Sequence, residues 1–292
     1  MTDVLVVRRG GLGDTLLMTP LLRALRCLRP GHGLHFAGVR EFAGILLQYG
    51  VVDRVLSSED LASWSLGSER GAARERLRRY THIVSDDPGM LEVANAETTV
   101  QTFDPRPGTA TPIARQLAEQ LGLQPVWPDD AWLMPARLVA VDGPVLLAPG
   151  SGSREKCWPR VRWLELARRL MAAGERVQVV VGPAEIERDD PRRWSWPAGV
   201  AFVVEREPAM LARQLAEASA FVGNDSGPSH LAAMLAVPTV AIFGPTDPSI
   251  WAPVGPHVTV AGGQGRDLAG IGCAEILDAL QAHGSRARTL CQ

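Results

Sequence analysis

AFVGNDSGPSHLAAMLAVPTVAIFG, residues 220–244, reads as one complete strand–helix–strand unit. AFVGND (220–225) is apolar until it runs into a polar turn, SHLAAMLA (229–236) has helical composition, and PTVAIFG (238–244) returns to a strand. Two strands joined through a helix run parallel, with the helix packed on their face. That unit is the building block of an α/β fold.

The alternation continues on both sides. PVLLAP (144–149), RVQVVVG (176–182) and VAFVVE (200–205) read as strands, with WLELARRLMAAG (163–174) and AMLARQLAEAS (209–219) as helices between or after them. The unbroken valines of 176–182 fit a strand buried on both faces. Toward the N-terminus, DVLVVRR (3–9), GLHFAG (33–38), DRVLS (53–57) and THIVSD (81–86) are strand-like, and RQLAEQLGL (115–123) is a helix closing on a glycine. Between the two series lies QPVWPDDAWLMPARLVAVDGP (124–144), proline-rich and without helical period, which reads as a linker. The expectation is an α/β protein of two Rossmann-like doubly wound domains, 1–140 and 141–292, facing a central cleft. The last helix is free to pack back on the first domain. Ligands of such sheets bind beyond the carboxyl ends of the strands, at the point where strand order reverses.

Composition narrows the function. The chain has 292 residues and a net charge of −2 with its histidines neutral. A duplex nucleic-acid partner would require a basic surface, so none is expected. Cys27, Cys157, Cys273 and Cys291 are far apart and form no C-x-x-C or zinc spacing, which fits a reduced, cytoplasmic chain. The first apolar run ends at Arg8-Arg9, so no signal peptide is expected, and no apolar run approaches the roughly 20 residues that span a bilayer.

Positive charge is almost all arginine. Lys156, in SGSREKCWPR (151–160), is the single lysine of the chain. It lies in LLAPGSGSREKCWPRVRWLELA (146–167), where a strand runs into Gly150, Ser151, Gly152 and Ser153, then Arg154 and Lys156, then a helix. Small residues bare their backbone N–H groups and form anion-binding concavities. Lysine serves phosphate as a compact point charge. The plain alternative is a solvated loop with Trp158 as packing.

Two other stretches carry candidate chemistry. In RRGGLGDTLLMTPLLRALR (8–26), Gly10, Gly11 and Gly13 allow a tight turn after the first strand. Thr19-Pro20 looks like the start of the main helix, whose apolar stripe is Leu21, Leu22, Leu25 and Leu28. Asp14 is then left on the turn, as a cap or as a cleft-facing general base. The glycine pattern lacks the third glycine of a dinucleotide fingerprint, and Val39-Arg40 replaces the acidic ribose reader, so an NADP enzyme using Arg40 is a weak alternative. In 221–251, Asn224-Asp225-Ser226-Gly227 opens a helix whose N-terminus can hold an anion, and His230 falls on its first turn, as a ligand contact or as a structural histidine. No nucleophile elbow accompanies Ser226 or Ser229.

Together RRGGLGDTLLMTPLLRAL (8–25), PGSGSREKCWP (149–159) and NDSGPSHLAAMLAVPTVAIFGPTDP (224–248) resemble the family 9 glycosyltransferases, which include the ADP-heptose:lipopolysaccharide heptosyltransferases. The resemblance implies the GT-B fold, an inverting mechanism, no catalytic metal, and no cofactor besides a nucleotide-sugar donor, ADP-linked. It makes Asp14 the catalytic aspartate and Lys156 the lysine near the donor phosphates. Asp225, Ser226, Gly227 and His230 match the donor sugar and diphosphate motif. Gly13, Ser151, Gly152, Ser153 and Arg154 fall in the donor stretches, and Glu185, in VVVGPAEIE, resembles a residue meeting the donor ribose. The implied acceptor is a lipopolysaccharide-core saccharide or other glycolipid, in the cytoplasm with peripheral contact to the inner membrane surface. Residues 40–110 show little of the family pattern, which leaves the acceptor open.

Chemistry gives these residues their roles. Asp14 would take the acceptor proton late, as an oxocarbenium-like centre draws the oxygen in. Lys156 and the N–H groups at Ser226 and Gly227 would stabilise the leaving diphosphate in place of a metal. Metal-dependent transferases favour D-x-D, whereas the acidic pairs here are adjacent: Asp86-Asp87, Asp129-Asp130 and Asp189-Asp190. Arg70, Arg74 and Arg78 share one helical face able to touch anionic lipid, though Glu69 and Glu75 dilute it toward an ordinary solvated face. A nucleotide-sugar epimerase and a non-catalytic nucleotide-sugar-binding protein remain as further alternatives, since fold alone does not separate them.

Overall fold

The computed structural model describes residues 3–57, 75–127 and 142–283. Most of the linker stretch, Asp129-Asp130, and Glu69, Arg70 and Arg74 of the arginine-rich run lie outside the described residues. The chain divides into two compact units, Met1–Pro128 and Asp129–Gln292.

The first unit is built on five strands: β1 (Asp3–Val7), β2 (Leu34–Gly38), β3 (Arg54–Ser57), β4 (Tyr80–Ser85) and β5 (Thr99–Thr102). They form one parallel sheet in the order β3-β2-β1-β4-β5. β1 and β2 are buried along their whole length, as a central parallel strand must be when helices cover both faces. β5 is an edge strand of sequence TVQT with no fully buried residue, so it carries no hydrophobic run by which to be read. The helices are α1 (Leu12–Leu17), α2 (Thr19–Leu28), α3 (Arg40–Gln48), α4 (Met90–Val93) and α5 (Ile113–Gln120).

Two readings of this unit are corrected. The glycine turn after β1 does not run open to Pro20: it closes at once into α1, because Gly11 takes an extended conformation and starts a helix from Leu12. Asp14 therefore sits on the first turn of a helix. The stripe of α2 is narrower than the leucine spacing suggests. Leu21, Leu22 and Leu25 are buried, but Leu28 is largely exposed at the helix end.

The second unit holds β6 (Val145–Ala148), β7 (Val177–Val181), β8 (Ala201–Val204), β9 (Ala220–Asn224), β10 (Thr239–Phe243) and β11 (Val258–Gly262). All are parallel, in the order β11-β10-β9-β6-β7-β8. Counted from β6 as the first strand, this is the 3-2-1-4-5-6 order of dinucleotide-binding sheets read from its other edge. The helices are α6 (Arg160–Ala172), α7 (Pro183–Asp189), α8 (Pro208–Glu217), α9 (Gly227–Met234), α10 (Pro248–Trp251) and α11 (Cys273–Ala282). Trp158 and Trp163 are fully buried among the strand valines, edge to face with ring centroids 5.1 Å apart. α11, the last described helix, buries Ile276, Leu277 and Leu280 in this same core. Among the described residues no helix is long and apolar enough to cross a membrane.

Each sheet reverses its strand order once: between β1 and β4 in the first unit, and between β6 and β9 in the second. Two neighbouring strands whose following helices leave in opposite directions open a crevice at their carboxyl ends. The residues that step out of these four strands are Arg8, Asp86, Pro149 and Asp225.

Candidate functional site

At the first reversal point, Asp86 N–H donates to Val7 O at 3.2 Å and carries the β1–β4 ladder one step past the sheet. Arg8 and Asp86 thus leave their strands side by side. The Arg8 guanidinium donates through Nη1 to Asp86 Oδ2 at 2.9 Å and through Nη2 to Asp14 Oδ1 at 2.5 Å. The other Asp14 oxygen, Oδ2, accepts from Gly11 N–H at 2.9 Å, which caps the start of α1. Asp14 is therefore both a cap and a carboxylate at the reversal point. Its side chain remains about one-third exposed, while those of Arg8 and Asp86 are buried.

This geometry explains the glycines. A Cβ on Gly10 would lie 2.7 Å from Asp14 Cβ, so the Asp14 side chain occupies the space that a residue at position 10 would need. A carboxylate folded over the first glycine turn repels a pyrophosphate there, which argues against the NADP-enzyme reading. Arg40 stands on the first turn of α3, exposed.

At the second reversal point, β6 ends in a loop that contains a 3-10 turn at Arg154–Lys156. Lys156 Nζ donates to Asp225 Oδ2 at 2.8 Å, and the Thr246 hydroxyl donates to the same oxygen at 2.6 Å. The Ser151 hydroxyl donates to Asp225 O at 2.7 Å. Asn224 is fully buried between the two strand ends. Its amide nitrogen donates to Pro149 O at 2.8 Å, and its amide oxygen accepts from Trp158 N–H at 2.9 Å. One side chain on β9 thereby fixes both ends of the Lys156 loop.

Glu185 belongs to the same cluster. It stands on the first turn of α7, with Oε2 accepting from Gly182 N–H at 2.8 Å. A Cβ at Gly150 would come within 1.9 Å of Glu185 Oε1, so only glycine lets this carboxylate lie against the loop. Arg188, one turn later on α7, donates to Ser151 O at 2.9 Å. Gly152 and Arg154 are exposed and Ser153 partly so. Burial, reinforced by the charge of Glu185, pushes the Cys157 thiol up, so it stays neutral beside Lys156.

α9 begins with Ser226 as its extended N-cap residue and Gly227 as its first helical residue. Pro228 has no N–H and the Ser229 N–H donates to Ser226 O at 3.1 Å, so the start of the helix presents its dipole and the Gly227 N–H. Ser229 donates to Asn224 O at 2.6 Å, and His230 is buried on the same turn. Ser229 is thus engaged with backbone.

The structure therefore brings Ser151, Lys156, Glu185, Asp225 and the start of α9 together around one strand pair. It places Gly13 and Asp14 at the other. Sequence reasoning missed Arg8, Asp86 and Arg188, and gave Asn224 no structural part. It placed Lys156 and Asp225 in one site without pairing them. The signal for Arg8 and Asp86 was their place as first polar residues beyond adjacent central strands.

The model of "Glycosyltransferase family 9 (heptosyltransferase)" matches residues 116–269. Lipopolysaccharide heptosyltransferase 1 of Pseudomonas aeruginosa is 43% identical over 94 residues, covering 32% of this chain and 26% of that protein. Lipopolysaccharide heptosyltransferase 1 of Escherichia coli K12 is 30% identical over 128 residues, covering 44% of this chain and 40% of that protein. The matched part is thus under half of either relative. Among solved structures, E. coli heptosyltransferase WaaC with ADP superposes with a TM-score of 0.76 at 21% identity, covering 97% of this chain and 100% of that one. That likeness is one of fold, the GT-B fold of two parallel-sheet α/β domains.

Proposed function

Because the chain belongs to glycosyltransferase family 9, we propose that it transfers a heptose from ADP-heptose to a saccharide of the lipopolysaccharide core, with inversion at the anomeric carbon and without a catalytic metal. The observation that carries this reading is the Lys156–Asp225–Thr246 cluster beside the N-terminus of α9, at the strand-reversal point of the second sheet. The cluster offers an ammonium, the backbone N–H groups of Ser226 and Gly227 and a helix dipole where charge develops on a departing diphosphate.

The residues take separate parts. Asp14 accepts the proton of the attacking hydroxyl. Lys156 moves its charge from Asp225 to the diphosphate as it leaves. Asp225 holds the ammonium in place before that, and Ser226 and Gly227 contribute backbone N–H groups. Glu185 meets the ribose hydroxyls as acceptor, and Ser151, Gly152, Ser153 and Arg154 line the phosphate side of the donor. His230 shapes the first turn of α9.

Metal-free chemistry is supported by how the acidic pairs are used. Asp86 is bonded to Arg8, Asp87 to Arg9 at 3.1 Å, and Asp190 to Arg192 at 2.7 Å, so these carboxylates already hold cations. The reaction is placed in the cytoplasm, with the lipid-linked acceptor presented at the inner membrane surface.

The test is a transfer assay with ADP-heptose and heptose-free core acceptor, run with and without EDTA. Heptosylated product with chelator present is the expected result. ADP-heptose binding without any transfer would support a non-catalytic binding protein instead. Turnover lost in EDTA and restored by a divalent ion would overturn the metal-free mechanism.

A further inference from the structure

Arg8 faces two carboxylates with one charge. Its side chain is buried at the reversal point of the first sheet, with one arm on Asp14 and the other on Asp86. Nη1 is held further by Arg9 O at 2.8 Å, and Asp86 Oδ2 also accepts Arg9 N–H at 3.1 Å. Everything that Asp86 bonds with its side chain lies on the Arg8–Arg9 side, since its Oδ1 makes no hydrogen bond among the described residues. Asp86 itself is anchored by backbone, through its N–H on Val7 O.

An arginine fork fits a carboxylate with two parallel bonds, and that is the arrangement it would take with Asp14 alone. Such a pair would add a second charged donor on Oδ2, which already accepts from Gly11 N–H. Asp86 claims the Nη1 arm, and Arg8 Nε makes no hydrogen bond among the described residues, so Asp14 receives Nη2 alone. We propose that Asp86 is a positioning residue for Asp14, acting through Arg8. It turns the guanidinium so that a single N–H meets Asp14, and it returns to the site the negative charge that Arg8 withdraws. Asp14 is then oriented by Arg8 while each of its oxygens accepts one hydrogen bond and keeps a lone pair for the acceptor proton. The inference rests on the reading of Asp14 as the base in glycosyl transfer.

The experiment uses the full chain in the transfer assay, comparing wild type with Asp86→Asn and Asp86→Glu. Asparagine keeps the shape and the acceptor oxygen but removes the charge. It is expected to lower kcat by ~10-fold or more, a part of the ~10²–10⁴-fold that the base itself contributes. The KM for ADP-heptose and the melting temperature should stay near wild type. Asp86→Glu, which restores the charge, should recover most of kcat. An Asp86→Asn enzyme with wild-type kcat overturns the proposal. So does a kcat loss that Asp86→Glu fails to repair, or one that appears only together with a lowered melting temperature, because a merely structural residue would behave that way. Wild-type chain that transfers no sugar removes the glycosyltransferase reading and this inference with it; a working wild type beside an unaffected Asp86→Asn removes the inference alone.

Discussion

Lys156 and Thr246 share one oxygen of Asp225: the ammonium lies 2.8 Å from Oδ2 and the threonine hydroxyl 2.6 Å from it. The single lysine of the chain is thus already neutralised, by a carboxylate whose side chain is itself buried. A diphosphate that approaches it competes with Asp225 and gains the ammonium without ordering a free surface side chain.

Lys156→Ala should therefore weaken ADP twice over, by removing a cation and by leaving the Asp225 charge uncompensated near the phosphates. The expected loss is ~10–100-fold in affinity, equivalent to ~1.4–2.7 kcal/mol. Isothermal titration with ADP at low and high salt measures it. Wild-type binding should weaken as salt rises, and the variant should respond less. Equal affinity for the two proteins would remove Lys156 from the phosphate site.

Asp14→Asn keeps the side-chain shape and an acceptor for Gly11 N–H, so the cap on α1 should survive. Turnover should drop by about 10²–10⁴-fold, the usual contribution of a general base. ADP-heptose affinity should change little, since Asn keeps the shape of the side chain. A variant that turns over at the normal rate would leave Asp14 as a helix cap only.

Gly150→Ala inserts a methyl where Glu185 Oε1 now lies, 1.9 Å from the new Cβ. Glu185 must swing away and give up its bond to Gly182 N–H. Stability should fall by about 1–3 kcal/mol, as for other overpacking substitutions, and a thermal melt reads it. If Glu185 reads the ribose, Gly150→Ala and Glu185→Ala should weaken ADP to a similar degree. ADP binding that is indifferent to both would refute that role.

The three thiols among the described residues should react in an order set by burial. Cys27 is exposed, Cys157 is half-buried, and Cys273 is buried with its thiol pushed up to about 12 by burial and the nearby Glu165 carboxylate. A raised thiol value means that the neutral, unreactive form persists until pH approaches that figure. Alkylation at pH 8 followed by peptide mapping should find Cys27 labelled first and Cys273 labelled only after unfolding. ADP should slow Cys157, its neighbour being Lys156. Early labelling of Cys273 in the folded protein would contradict the packing of α11.

The fold was legible wherever burial wrote itself as continuous apolar sequence. Seven of the eleven strands of the sheets carry such runs; β3 and β8 bury one residue each but still read as strands, β5 does not, with its TVQT at a half-exposed edge, and β11, VTVAG, escapes although one of its residues is buried. α1 escaped because glycine, aspartate and proline, all punctuation in isolation, here surround a six-residue helix. The cluster at the β6–β9 strand pair was legible as a list, since Ser151, Lys156, Glu185 and Asp225 lie in the segments that follow strand-like runs. Its internal wiring was not. The sharing of one Asp225 oxygen by Lys156 and Thr246 depends on which strands are neighbours, and that order is invisible until the sheet is built. Arg8 and Asp86, 78 positions apart, are joined by the same hidden adjacency.

Asn224 has a consequence for engineering. Its amide ties Pro149 O on one side of the phosphate loop and Trp158 N–H on the other, both within 2.9 Å. The segment between those anchors, 150–157, is therefore a replaceable cassette with fixed ends. A chimera that imports this loop from another transferase to change nucleotide preference should dock correctly if position 224 stays asparagine. The same import into an Asn224→Leu background would leave both anchor groups stranded and the cassette without a mooring.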